Sequence, residues 1–385
     1  MATTQTLDQW HILDTRAIWV KEFAGALAKQ TNVLGWMPEI SWTGYWRNQE
    51  RQETNANPVL PLRYFPLQRG FAKWPLRMML PEAGRIAQRL RAQTKNEREC
   101  VLMCVSPHYA AVAEQWQGPV IYYMSDFYYA WGEDPAYINY YDRRICKRAD
   151  LVCPVSARGA DYLIEKARCD PAKISISAMA TRADNVLLEP LPGPGTLPER
   201  IADLPRPIIG VIGNLAKNTD WLFLKQAIAG LPGYSWALVG STEMPVPDEA
   251  HRQAREMLQS QGPRVRFVGP RPYHELADYA RSFDVALLPY RKIEPTYSGS
   301  STRFYEHLAA TRPMYATDGF AELLTREPLV HLVADADDFI KRILSLAEKQ
   351  FVDGIEAGRW KASQHETWEA RAGQMREELL RRLSR

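Results

Sequence analysis

Two kinds of stretch alternate along the chain: short runs that are apolar at nearly every position, and longer ones whose apolar residues recur at helical spacing. A run apolar on both faces suits a strand of a parallel sheet, which is covered on both sides. On that pattern, strands are expected over 10–13, 32–36, 100–105, 119–124 and 151–155. Helices are expected from about 18–30, 80–95, 136–149 and 157–166, with one more between 105 and 119. Residues 38–60 are polar, aromatic and irregular and carry no assignment. Prolines then fall at 190, 192, 194, 198, 205 and 207, where neither a helix interior nor a central strand tolerates them. Beyond them the alternation restarts, with strands at 208–213, 235–240, 265–269 and 284–289 and helices at 219–229 and 273–282. The tail after Gln364 has helical spacing, with Trp368 apolar among charges. The expected fold class is α/β. The expected organisation is a first domain over 1–188, a proline-rich linker over 189–207, a second domain over 208–362 and a C-terminal helix over 363–385. Two consecutive α/β domains of this kind are expected to bind ligands at the carboxyl edges of their sheets, in a cleft.

The chemistry is richest where the strand Ala286-Leu-Leu-Pro-Tyr290 runs through a loop into Ser300-Ser-Thr-Arg-Phe-Tyr-Glu-His-Leu-Ala-Ala-Thr-Arg-Pro313. Ser300, Ser301 and Thr302 are good helix N-cap types, and the first N–H groups of a helix have no partner inside it. Those groups and the helix dipole favour a phosphate, to which Arg303 adds a two-pronged contact. Glu306 lies three residues beyond Arg303, on the same helix face, and an acceptor carboxylate there suits a ribose or sugar hydroxyl. An ordinary capped helix with an Arg–Glu surface pair would be spelled the same way.

The run from this strand through Tyr305-Glu-His-Leu-Ala-Ala-Thr-Arg-Pro-Met-Tyr-Ala-Thr317 resembles the donor-binding segment of GT-B glycosyltransferases, commonly written Lys-x-x-Glu-Tyr-Leu-Ala-Ala-Gly-Lys-Pro-Val-Val. The resemblance implies two Rossmann-like domains, a nucleotide-sugar donor, a diphosphate contact for Arg303 and a ribose contact for Glu306. Arginine in place of lysine keeps the charge and changes the geometry. Many retaining members carry a second glutamate where this chain has Ser298, so the resemblance favours inversion. The Ser-Ser-Thr-Arg run is similar to that of inverting bacterial exopolysaccharide glucuronosyltransferases. Ala149-Asp-Leu-Val-Cys-Pro-Val-Ser156 resembles a segment near the end of the family's first domain, and the tail resembles a helix that packs back on that domain. Gly213 and Asn214 end the first strand of the second domain, near the donor phosphates in the family, where glycine permits close approach. Arg271 and Tyr273, after Gly269, fall in the loop that flanks the base.

An inverting transfer needs a general base for the acceptor hydroxyl. Asp126 is the choice, in Tyr123-Met-Ser-Asp-Phe-Tyr-Tyr-Ala-Trp131 at the end of a strand; a helix-capping aspartate is the plain alternative. Asp14 and His108, each following a strand of the first domain, are rivals for that role or acceptor contacts, and Tyr128 and Trp131 could stack on sugar faces. No metal site and no cofactor beyond the nucleotide-sugar co-substrate, UDP-linked, are expected. The Asp335-x-Asp337-Asp338 run reads as a helix cap, and leaving-group charge falls to Arg303, the helix N-terminus and Lys217 or Arg291.

Composition alters this little. With 385 residues, 46% hydrophobic and 24% charged, the chain suits a two-domain globular enzyme. Its five cysteines have no metal-type spacing, and their odd number points to a reducing cytoplasm. No apolar run approaches the roughly 20 residues of a membrane span. Between 63 and 95, Arg63, Arg69, Lys73, Arg77, Arg85, Arg89, Arg91 and Lys95 alternate with Phe65, Phe71, Trp74, Leu76, Met78 and Met79 against one acid, Glu82. Such a stretch suits an anionic membrane surface that could gather a lipid-linked acceptor, or a solvated basic helix with its aromatics inward. No recognition motif for nucleic acid accompanies it, and none is expected as a partner. The acceptor is thus expected to be lipid-linked or a glycan of surface polysaccharide assembly. A UDP-sugar epimerase and a non-catalytic glycan-binding scaffold share the same spelling.

Overall fold

A computed structural model describes residues 7–39, 60–67, 76–128 and 134–384, with 76–79 as backbone alone. It divides into two compact units, Met1–Ala178 with Trp368–Arg385, and Met179–Thr367.

The first unit begins with β1 (Gln9–Leu13), α1 (Ile18–Ala28), β2 (Asn32–Glu39), β3 (Leu62–Pro66) and α2 (Leu76–Ala92). β4 (Cys100–Cys104), α3 (Ala110–Gln115), β5 (Val120–Met124), α4 (Pro135–Arg148), β6 (Leu151–Pro154) and α5 (Ala157–Glu165) follow. The strands form one parallel sheet in the order β3-β2-β1-β4-β5-β6. Every residue of β4 and β5 is buried, the both-sided burial that their continuous apolar runs require. Cys100 and Cys104 face this core as free thiols.

In the second unit β7 (Ile208–Ile212), α6 (Trp221–Gly230), β8 (Ser235–Val239), α7 (Glu249–Gln259), β9 (Val265–Gly269), α8 (Leu276–Ser282) and β10 (Val285–Leu288) lead to α9 (Thr302–Ala310). β11 (Met314–Ala316), β12 (His331–Leu332), α10 (Ala336–Glu348) and α11 (Glu356–Ser363) complete it. Its parallel sheet runs β12-β11-β10-β7-β8-β9. Both sheets have the doubly wound order, so each has a switch point where the chain reverses its direction of winding, between β1 and β4 and between β7 and β10.

The boundary departs from the expected one. The division falls at 178/179, before the proline-rich stretch, which belongs to the second unit: Gly195 N–H donates to Arg281 O at 2.8 Å, and Ile201 and Leu204 join the core under β7 and β8. Proline excludes regular structure without excluding packing. α12 (Trp368–Leu383) returns to the first unit, where Lys29 pairs with Glu369 at 2.7 Å and the Gln30 amide donates to Glu369 O. Asp335 caps α10 through the Asp338 N–H at 2.8 Å. β3 and α7 had no clear signal: β3 is a short, half-exposed edge strand, and α7 buries only His251, Ala254 and Leu258 of its eleven residues.

Candidate functional site

In the second unit, the carboxyl ends of β7, β8 and β9 bound a cavity of about 340 Å³ that Gly213, Asn214, Gly240, Ser241, Met244, Arg271 and Arg303 line. The close approach of two strand ends shapes its floor. Gly240 has φ 151°, and a Cβ there would sit 1.6 Å from the Gly213 carbonyl oxygen. Gly213 has more room, since a Cβ would meet the Tyr290 hydroxyl at 3.6 Å and Arg303 Cγ at 3.9 Å. Arg303, second residue of α9, therefore lies over the Gly213 corner, and its buried Nη1 has no hydrogen-bond partner among the described residues. A desolvated guanidinium nitrogen without an acceptor is costly unless a ligand supplies one.

Four residues expected at a donor site, Gly213, Asn214, Arg271 and Arg303, thus share one cavity. Arg271 Nε donates to Pro270 O at 2.8 Å, and Asn214 Nδ2 lies 2.8 Å from the Met244 sulfur. The start of α9 is more occupied than its sequence suggests. Ser301 Oγ accepts the Phe304 N–H at 3.3 Å, its own N–H donates to Glu322 Oε2 at 3.0 Å, and Ser300 Oγ accepts the Met179 N–H at 3.1 Å. Thr302 opens the helix and is half-buried. Glu322 also accepts from the Tyr305 hydroxyl and from Arg326, so one internal carboxylate already serves this helix end. It stands sixteen residues past Glu306, too far for helical periodicity to reveal the contact.

Glu306 is 1% exposed. Its oxygens accept from the Tyr273 hydroxyl, from Thr181 Oγ1 at 3.3 Å and from Asn185 Nδ2 at 3.1 Å. Burial raises its pKa above the usual glutamate value, against the pull of those donors and of Arg303. Ser298, where many retaining enzymes have glutamate, is buried and donates to Glu294 Oε1 at 2.8 Å. Arg291 pairs with Asp248 at 3.3 Å, and neither it nor Lys217 is among the residues lining the cavity.

In the first unit, Asp14, His108, Asp126 and Tyr128 gather at the carboxyl ends of β1, β4 and β5. Asp14 adopts a left-handed φ of 74°, uncommon for a residue with a side chain. Its carboxylate takes two hydrogen bonds from Arg16, at 2.6 and 2.5 Å, and one from the Tyr109 hydroxyl at 3.3 Å. Ser106 Oγ and His108 Nδ1 are 2.8 Å apart, and the His108 and Tyr128 rings meet edge to face. The Tyr128 hydroxyl donates to Val105 O at 2.8 Å, and burial together with the charges of Asp14 and Asp126 drives its pKa up. Asp126 is half-buried and accepts the Phe127 N–H at 2.8 Å. Trp131 lies outside the described residues.

Of the basic stretch, Arg69, Lys73, Phe71 and Trp74 lie outside the described residues, as do the side chains of Arg77, Leu76, Met78 and Met79. Phe65 is fully buried, as the reading with its aromatics inward expects; Arg85 pairs with the buried Glu82 at 2.9 Å and Arg91 with Glu97 at 2.9 Å. Among the described residues no helix is long and apolar enough to cross a membrane, and no group of three or more His, Cys, Asp or Glu is placed to hold a metal.

Residues 218–377 match the model of a family described as glycosyl transferase-like. A Bacillus subtilis (strain 168) protein named as a candidate teichuronic acid biosynthesis glycosyltransferase, TuaH, is 25% identical over 138 residues, which are 34% of this chain and 33% of that relative's length. A glycosyltransferase structure from Rickettsia africae ESF-5 superposes with a TM-score of 0.70 at 13% identity, covering 98% of each chain. Anabaena HepE in complex with UDP and glucose superposes with a TM-score of 0.68 at 15% identity, covering 96% of this chain and 98% of that one. At such identities the structures speak to fold. The chain thus has the GT-B fold, and its residues 218–377 match the glycosyl transferase-like model.

Proposed function

We propose that this chain transfers a sugar from a nucleoside diphosphate sugar, UDP-linked, to a glycan or lipid-linked acceptor in the assembly of a surface polysaccharide. One observation carries the donor side: a cavity floored by Gly213 and Gly240, into which Arg303 brings a buried guanidinium nitrogen that no group among the described residues satisfies. The naming of the Bacillus relative for teichuronic acid biosynthesis and the UDP in the HepE structure support the substrate classes.

In the reaction the acceptor hydroxyl oxygen attacks the anomeric carbon, the bond from that carbon to the diphosphate oxygen breaks, and a base takes the hydroxyl proton. Arg303 and the amide end of α9 receive the growing charge on the diphosphate. Asp126 is the proposed base, with Asp14, His108 and Tyr128 as the acceptor-side group, and the anomeric configuration inverts. The basic residues between 63 and 95 serve a lipid-linked acceptor by drawing the protein to an anionic surface.

Thermal-shift measurements with UDP, GDP, ADP and dTDP on wild type and Arg303→Ala test the donor site, because a ligand that binds the native state stabilises it. A shift selective for UDP that Arg303→Ala abolishes is the expected result. No shift with any of the four would remove the donor reading and leave a scaffold that keeps only the fold.

A further inference from the structure

Glu306 is held by residues that no strand or helix of the second sheet supplies. Thr181 and Asn185 belong to the stretch by which the chain enters the second unit, Asn185 closing a single helical turn, Ala183–Asn185. Thr181 forms a parallel bridge with Thr367, where the chain leaves that unit, and its N–H donates to Glu366 O at 3.1 Å. Asn185 is fixed in turn by Arg281, whose guanidinium donates to Asn185 O at 2.9 Å.

The protons can be followed one by one. Asn185 Nδ2 donates one to Thr181 Oγ1 at 3.3 Å and the other to Glu306 Oε2 at 3.1 Å, while Thr181 spends its hydroxyl proton on the same Oε2 at 3.3 Å. A carboxylate oxygen has two acceptor positions, so Oε2 is filled. Oε1, which accepts from the Tyr273 hydroxyl, keeps one among the described residues. Two donors on one oxygen fix the carboxylate's rotation and partly offset the larger effect of burial, which raises its pKa.

We propose that Thr181 and Asn185 are positioning residues of the donor site, which lock Glu306 through Oε2 and so present Oε1 to a single ribose hydroxyl of a nucleoside diphosphate. This rests on the donor-site reading above. It makes the entry segment part of the ligand site, although neither residue needs to touch the ligand.

The test compares UDP with a UDP analogue lacking both ribose hydroxyls, each titrated calorimetrically into wild type, Thr181→Val, Thr181→Ser, Asn185→Leu and Arg303→Ala. Thr181→Val and Asn185→Leu should each weaken UDP about tenfold, the worth of one buried hydrogen bond to a charged group. They should leave the analogue's affinity unchanged, and Thr181→Ser should behave as wild type. Equal losses for both ligands would mean a general structural role, and no loss for UDP would mean no role; either overturns the inference. Thr181→Val changes a hydroxyl for a methyl, so it reports even where Asn185→Leu fails to fold. UDP binding that Arg303→Ala does not weaken, or no UDP binding at all, would sink the donor-site reading and this inference with it. An intact Arg303 effect beside silent Thr181 and Asn185 variants would sink this inference alone.

Discussion

Protonation of His11 would break a chain of hydrogen bonds in the first unit. Trp36 Nε1 donates to His11 Nδ1 at 2.9 Å, His11 Nε2–H donates to Thr94 Oγ1 at 2.7 Å, and Thr94 donates on to Leu90 O at 2.7 Å. The ring is therefore neutral, and burial lowers its pKa to about 4. Between about 6.5 and about 4 the unfolded chain binds a proton here that the folded chain refuses, so this residue's contribution is whole above that window and is lost as pH falls through it, by at most about 3 kcal/mol. His307, lowered to about 3 by burial and then by Arg303, acts with the same sign. Asp142, raised to about 6 by burial against donors Tyr122 and Tyr162, acts with the opposite one, its stability falling as pH rises from about 4 to 6. The informative quantity is thus the difference between wild type and His11→Gln in urea unfolding across pH 4–7. The variant should lose about 1–3 kcal/mol at neutral pH and show a shallower acid decline; an unchanged acid decline would refute the assignment. None of this is legible in Trp10-His-Ile-Leu13, because Thr94 and Trp36 reach His11 only once the sheet is built.

The two glycines that end adjacent strands should behave differently when given a methyl group. Gly240→Ala drives a Cβ into the Gly213 carbonyl, so the β7–β8 edge must part, and a loss of about 3 kcal/mol with loss of nucleotide binding is expected from melting and titration. Gly213→Ala meets Tyr290 and Arg303 at ordinary contact distances, although its φ of 159° strains any side chain; it should lose less stability than Gly240→Ala while nucleotide affinity falls, since the methyl group points toward Arg303. Equal damage from both would contradict this account of the corner. α12 shows the reach of an element set far along the chain. Trp368, Ala372, Met375 and Leu379 are buried, and Trp368→Ala should cost about 3–5 kcal/mol in chemical unfolding. A loss below about 0.5 kcal/mol, the range of ordinary surface substitutions, would show that the helix is dispensable to the first unit.

For the molecule as a whole, binding and transfer should separate. Asp126→Ala should abolish sugar transfer in a coupled assay with UDP-sugar while UDP still shifts the melting temperature, whereas Arg303→Ala should lose both. Transfer that survives Asp126→Ala would shift the base to Asp14 or His108. Much of this architecture follows from local sequence. Short continuous apolar runs suit strands buried on both faces, and helically spaced stretches alternating with them suit helices covering a parallel sheet, so two α/β units are readable from that alternation. The Ser-Ser-Thr-Arg start of α9 and the glycine at the end of β7 are local signals in the same sense, each fixed by what a helix end or a tight strand end physically needs. What the chain could not disclose locally is which distant groups meet. The proline-rich stretch that looks like a linker sends Ile201 and Leu204 into the second core; Glu322 fills an amide that helix chemistry leaves open; Thr181 and Asn185, unremarkable in their own stretch, converge on Glu306. Those contacts depend on where the chain crosses between units and how neighbouring strands align, which are properties of long-range packing and leave no periodicity in the sequence.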